Sequence, residues 1–167
     1  MRRVAVIGYI AGGKSSLARV PAAKRGLPYH ELDRLQITSD WRAVPRPEFL
    51  ARHAAVIAEP AWVIDGIGLW RSLSDRLLAA DAIVHIDHPL WLHFLWTTKR
   101  GDGRRERSDD PPPLPELERI FPFIWDYHRR IRPRVLRLLQ QLAETKTVHT
   151  LRRPEELAAF AAAWGGG

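Results

Sequence analysis

The sequence contains no cysteine and a single methionine. Disulfides and thiolate metal sites are therefore excluded. No apolar run reaches the roughly 18 residues that a membrane-spanning helix requires. Two arginines, Arg2 and Arg3, precede a short apolar run, but that run meets Gly12, Gly13 and Lys14 too soon for a signal peptide, and no small-residue cleavage site follows. These absences lead us to expect a cytoplasmic protein without a membrane partner. Acidic residues are also scarce relative to basic ones, 19 Asp and Glu against 26 Lys and Arg, which leaves a net charge of +7. The excess gathers at Lys99, Arg100, Arg104, Arg105 and Arg107, and again from Arg129 to Arg137. Such clusters favour an anionic partner, and phosphates on a small molecule or on nucleic acid both qualify.

What is present reads as one α/β domain over residues 1–164, with a tail at 165–167. Val4 to Ile7 is a continuous apolar run ending in Gly8, the pattern of a parallel strand buried on both faces. A helix is expected from Lys14 to Arg25, stopped by Gly26 and Pro28 and open to a kink or shortening at Pro21. Further strands are expected at Pro28 to Leu32, Trp62 to Ile64, Ala82 to Ile86 and Thr145 to Leu151. Helices are expected at Glu48 to Ala58, after Pro89 with Leu90, Trp91, Phe94 and Leu95 inward, and at Glu155 to Trp164. A long helical region from Leu117 to Leu142 carries Pro122 and Pro133, so a kink or two helices should result. The polar, proline-rich stretch at about 101–115 reads as a mobile lid inserted in the domain. Alternation of strands and helices favours a parallel sheet covered on both faces.

The chemistry begins at Gly8-Tyr9-Ile10-Ala11-Gly12-Gly13-Lys14-Ser15, which satisfies G-x-x-x-x-G-K-[ST] at every fixed position. A loop that surrounds phosphate oxygens must turn its N–H groups inward, and glycine permits such turns and close approach. Lys14 places a compact positive charge on the β- and γ-phosphates, Ser15 offers a hydroxyl to Mg²⁺, and the following helix adds uncapped N–H groups at its start, including that of Ser16. Gly8, Ala11, Gly12, Gly13, Lys14, Ser15 and Ser16 are thus the expected ATP-binding set. Ala11 stands where many kinase-type loops have glycine.

No [NT]-K-x-D base-recognition motif is present; Thr98-Lys99-Arg100-Gly101-Asp102 sets its aspartate one residue late. No strand ends in Asp-Glu to activate water. Small kinases remain, in which lid arginines neutralise the transferred phosphoryl group. The chain then resembles the DNA topology modulation protein family of adenylate-kinase-like P-loop proteins. The matching segments are Val6 to Gly8 with Lys14 to Ala18, Leu27-Pro28 with Leu32-Asp33, Trp62-Val63-Ile64-Asp65-Gly66, Ala79 to Val84, Asp87 to Leu92, and Ile124-Trp125 with Arg129-Arg130 and Arg132-Pro133-Arg134. The resemblance implies a nucleoside-monophosphate-kinase fold, a five-stranded parallel sheet in the order 2-3-1-4-5, and ATP with Mg²⁺. It leaves the phosphoryl acceptor open, and the family's name adds DNA as a partner. Where that family has asparagine and an aromatic residue after Asp-Gly, this chain has Ile67 and Gly68.

The remaining candidates have two readings each. Asp33 ends the second expected strand and would hold or deprotonate the acceptor, or else cap a helix. Asp65 ends the third and would bind substrate and orient Mg²⁺-bound water beside Ser15, or serve only the Asp-Gly turn. Arg71, with Arg76 behind it, would grip an acceptor phosphate or lie on a solvated helix face. Arg100 and Arg104 in the lid, and Arg130 and Arg134 beyond it, would contact phosphates or merely solubilise the surface. His85, His88 and His93 lack a zinc-site spacing. Trp62, Trp91 and Trp125 are expected in the core, while Trp41 and Trp70 are expected in loops beside the acceptor. The leading expectation is an ATP-dependent phosphotransferase using Lys14, Asp33, Arg100 and Arg104; the alternative is an ATP-binding regulator of DNA topology with little catalysis.

Overall fold

A computed structural model describes residues 1–38, 42–101 and 117–164, with side chains at 1–38, 42–99 and 120–164. In chain order the elements are β1 (Arg3–Gly8), α1 (Lys14–Arg25), β2 (Tyr29–Glu31), α2 (Leu32–Leu35), α3 (Arg46–Ala58), β3 (Trp62–Asp65) and α4 (Trp70–Ala79). There follow β4 (Ala82–Ile86), α5 (Leu90–Gly101), α6 (Leu117–Asp126), a π-helical turn (Tyr127–Ile131), α7 (Arg132–Leu142), β5 (Thr147–Leu151) and α8 (Pro154–Ala163). The five strands form one sheet in the order β2-β3-β1-β4-β5, every pair parallel. This is the three-layer architecture and strand order expected.

Alternation along β1 explains the layers. Val4 and Val6 face one side with Val63 and Val84, and there Leu17, Ala18 and Ala22 of α1 and Trp164 after α8 cover them. Ala5 and Ile7 face the other side with Trp62, Ile64 and Ile83, under Phe49 of α3, Leu73 and Leu77 of α4, and Val135 and Leu139 of α7. All nine of the residues just named on β1, β3 and β4 are essentially without exposure, so the central strands must be apolar on both faces. At that central position the five parallel strands end together, and their C-terminal edge holds the phosphate loop.

Several expectations are corrected. β2 stops at Glu31, and Asp33 lies in the short helix α2 rather than at a strand end. Pro21 does not shorten α1, which runs to a left-handed Gly26 cap. The helix α4, for which no span was expected, begins at Trp70, which therefore does not lie in a loop. The inward face of α5 is Leu92, His93 and Thr97, whereas Trp91 is 62% and Leu95 41% exposed. Trp125 is also exposed, at 51%, so of the three tryptophans expected in the core only Trp62 is there. The helix instead turns His93 inward, where its Nδ1 lies close to Ile10 O of the phosphate loop. The long helical region is broken by a π-helical turn that ends just before Pro133, consistent with the interruption expected there. Gly101, where the lid was expected to begin, is the last residue of α5, and the rest of the lid and Trp41 lie outside the described residues. Among the described residues no helix is long and apolar enough to cross a membrane.

Candidate functional site

The loop between β1 and α1 has the backbone its sequence demands. A Cβ on Gly8 would lie 2.6 Å from the Ile86 carbonyl oxygen of β4, so only glycine lets the two strands stay paired where the loop leaves the sheet. Gly13 is left-handed at φ 83°, and Ala11 is also left-handed at φ 57°. For alanine that conformation costs about 1 kcal/mol, a strain the loop retains. Gly12 N–H donates to Tyr9 O at 3.3 Å, which closes the turn. Helix α1 then starts with no side-chain cap, leaving the N–H groups of its first turn directed into the loop. The Lys14 ammonium crosses the mouth and donates to Tyr9 O at 2.7 Å. Backbone donors, a helix start and an ammonium thus converge on one concavity, which suits a polyphosphate.

Beside it, the end of β3 delivers Asp65. Its carboxylate is 4% exposed and hydrogen-bonds the Ser15 side chain. Burial raises the Asp65 pKa, and Glu31 and Asp33 push it the same way; the Ser15 hydrogen bond and the Lys14 charge oppose them without reversing the shift. The Tyr29 hydroxyl also meets Ser15, and burial raises its pKa strongly. A hydroxyl and a carboxylate in contact at adjoining loop ends are hard oxygen donors. They suit Mg²⁺, which keeps several waters and takes few protein ligands. Glu31, the true end of β2, is engaged elsewhere: it accepts hydrogen bonds from Arg19 and from Arg34 at 2.9 Å. Against burial, these arginines hold its pKa down. Asp33, two residues on, is exposed.

The opposite flank was largely missed by sequence reasoning. Asp87, just after β4, accepts two hydrogen bonds from Arg132, Nε at 2.6 Å and Nη2 at 2.8 Å. Burial opposes ionisation of Asp87, but this bidentate fork and the charges of Arg132 and Arg152 keep its pKa below the ordinary value. Tyr9 of the phosphate loop stacks on Tyr127 of the π-helical turn, centroids 4.1 Å apart and planes within 11°. Burial and Asp126 push the Tyr9 phenol up to about 12. His93 of α5 lies 2.8 Å from Ile10 O by its Nδ1, which anchors α5 to the same loop. His88 Nδ1 lies 3.1 Å from Arg152 O. His85 is buried and neutral, its pKa lowered to about 4 chiefly by burial. Only paired positions of 45 residues' separation, Asp87 with Arg132, could have signalled this flank, and no local pattern marks such a pair.

The remaining arginines separate. Arg71 is exposed in the first turn of α4. Arg134 lies over the Trp70 ring at 4.1 Å, a cation–π contact between the start of α7 and the start of α4. Arg130 pairs with Asp126 at 3.0 Å on its own helical run. The Arg100 side chain and all of Arg104 lie outside the described residues. Arg76, ranked behind Arg71 from sequence, is fully buried and reaches the turn after Asp65.

Solved structures with the same arrangement include a sugar kinase from Janibacter sp., with a TM-score of 0.51 and 19% identity over 98% of this chain and 94% of that one. A gluconokinase from Sinorhizobium meliloti matches at TM-score 0.51 and 16% identity, covering 99% and 94%. A shikimate kinase from Acinetobacter baumannii, in complex with shikimate, matches at TM-score 0.60 and 13% identity, covering 97% and 89%. The chain has the fold of these small P-loop kinases. At such identities the likeness is one of fold. No protein-family model and no curated sequence matches the chain.

Proposed function

We propose that this protein transfers the terminal phosphoryl group of ATP to a hydroxyl of a small acceptor, a nucleotide or a sugar-like or hydroxy-acid molecule. The observation that carries the reading is the meeting of Lys14, Ser15 and Asp65 at the mouth of a glycine-shaped loop. The names of the fold neighbours, all kinases of small hydroxylated molecules, support the acceptor class. Magnesium bound with the triphosphate would neutralise charge on the β- and γ-oxygens. Ser15 and Asp65 would hold that ion, Asp65 through water. Lys14 would exchange its bond to Tyr9 O for phosphate oxygens, a small displacement that keeps it in place. Asp33 would take the proton from the acceptor hydroxyl, since it is the solvent-facing carboxylate on that flank. Arg71 and Arg134 border the same flank and suit an anionic group on the acceptor, while Arg100, Arg104 and Arg130 are the lid-side arginines we assign to the phosphates.

The test is ATP turnover by the purified chain against a panel of nucleoside monophosphates, polyols and hydroxy acids, beside Lys14→Met. Stimulation by one acceptor, absent in the variant, is expected; a panel that leaves both at the same background would count against transfer. Membership of the topology modulation family remains our family assignment. Its DNA component predicts binding that weakens steeply with salt, and no binding at low salt would remove it.

A further inference from the structure

A buried guanidinium ordinarily faces a carboxylate, because desolvating it alone is expensive. Arg76 has no exposed surface and no such partner in hydrogen-bond contact among the described residues. Its Nη2 donates to Gly66 O at 2.6 Å and to Ile67 O at 3.3 Å. Its Nη1 lies 3.4 Å from His53 Nε2 on α3, and its Nε is buried without a partner. His53 is itself buried; burial first, then the Arg76 charge, lowers its pKa to about 4, so it meets Arg76 as a neutral acceptor. Burial lowers the pKa of Arg76 to about 10, which leaves it charged at neutral pH, and Asp65 is the acidic group whose charge reaches it. An arrangement this costly is a poor way to stabilise a core.

Both Nη2 contacts fall on one turn, Gly66 to Gly68, which starts one residue after Asp65. Gly66 N–H donates to Val6 O at 3.1 Å, tying the turn to β1. Gly66 and Gly68 are left-handed, at φ 116° and 66°, and press on Leu32, the neighbour of Asp33. A Cβ on either would lie 2.8 Å or 2.5 Å from Leu32 side-chain atoms. The turn is thus gripped between the acceptor-side helix α2 and the Arg76 head.

We propose that Arg76 is a positioning residue for the magnesium site: by holding the Gly66 and Ile67 carbonyls it fixes the turn that aims Asp65 at Ser15. The metal part of this inference rests on the phosphotransferase reading; the tether does not. The test uses the whole chain with Arg76→Met and Arg76→Lys. ATP affinity is measured with excess Mg²⁺ and with EDTA, and amide exchange is followed at Gly66, Ile67 and Gly68. Arg76→Met should match wild type in EDTA, yet lose about 10- to 100-fold of the Mg²⁺-dependent gain, as removal of groups that orient metal ligands does. Exchange at the three turn amides should accelerate by about tenfold or more while β1 and β4 amides stay protected. Arg76→Lys, which keeps charge and one donor, should recover part of both. A lower melting temperature with full Mg²⁺ gain and unchanged turn exchange would reduce Arg76 to packing and overturn the proposal. Should Arg76→Met not fold, the lysine variant decides: intact gain and exchange overturn the proposal, partial loss of both supports it. If wild type itself shows no Mg²⁺-dependent gain, the phosphotransferase reading fails, and turn exchange alone then judges the tether.

Discussion

Replacing Lys14 by methionine keeps the side-chain stem and removes the charge. In the free protein the change deletes one half-buried hydrogen bond, Nζ to Tyr9 O at 2.7 Å. That loss is worth about 1 kcal/mol and about 2–4 °C in melting temperature for a chain of this size. With ATP bound the expected loss is larger, because the ammonium would face phosphate charges from a partly buried position. Removing one member of such a charge contact costs about 2–5 kcal/mol, or roughly 30- to 4,000-fold in Kd. At Mg·ATP equal to about 100 times Kd, wild type gains about 2.7 kcal/mol. That gain appears as a shift of about 5–11 °C. A thirtyfold weaker variant gains under about 1 kcal/mol at the same concentration, so its shift falls to about 3 °C or less. Differential scanning fluorimetry of both proteins, with and without Mg·ATP, reads all four midpoints. A variant whose ligand shift equals that of wild type would refute the assignment of Lys14 to the triphosphate, whatever its free melting temperature.

Asp65→Asn should separate function from stability: burial penalises the Asp65 charge at neutral pH, so a neutral isostere should melt no lower than wild type while acceptor-dependent turnover drops about 100-fold. A clear fall in melting temperature would show that the carboxylate is structural. His53 and His85, both 1% exposed, have pKa values lowered to about 4. The unfolded chain binds protons at both near pH 6.5. Stability conferred by the neutral rings is therefore complete above about pH 6.5 and is lost as pH falls toward 4, at about 1.4 kcal/mol per pH unit per histidine. Urea midpoints from pH 7 to 4 should fall steadily, and a flat profile between 6.5 and 5 would contradict the burial of these rings. A double-mutant cycle on Asp87→Asn and Arg132→Met should return a coupling of about 1–3 kcal/mol, since the pair is bidentate and mostly screened from solvent. Additive single effects would mean that the fork contributes nothing.

Legibility of this chain follows how local each feature's cause is. The central strands were readable because a strand buried on both faces must be an unbroken apolar run, as Val4 to Ile7 and Trp62 to Ile64 are. Helix α1 was readable because Gly26 ends it in a left-handed cap. The short strand β2, Tyr-His-Glu and only half-buried, has no such run, so its end was placed beyond Glu31. Helix α4 escaped because half of its four fully buried positions, Ser72 and Arg76, are polar and its start has neither acidic residue nor side-chain cap. On α5 the same cause turned the helix: His93 and Thr97 face inward while Trp91 and Leu95 do not.

The two halves of the candidate site differ for the same reason. Its phosphate side is a single peptide, Gly8 to Ser15, whose residue types are dictated by contacts within the loop, so the motif is visible without any fold. Its other side, which we propose receives the acceptor, is assembled from α2, the turn after β3, α3 and the starts of α4 and α7. Each contributes one or two residues whose roles appear only on assembly. Arg76 illustrates the difficulty. An arginine on a helix is ordinarily solvated, and nothing within several residues of it announces that it will be drawn inside to hold two carbonyls ten and nine positions earlier. The burial of that charge is understandable only from the far side, as the requirement of a turn that bends through two left-handed glycines and has few other donors to hold it. If the proposed transfer holds, acceptor specificity is therefore to be sought in contacts spanning several elements rather than in another motif.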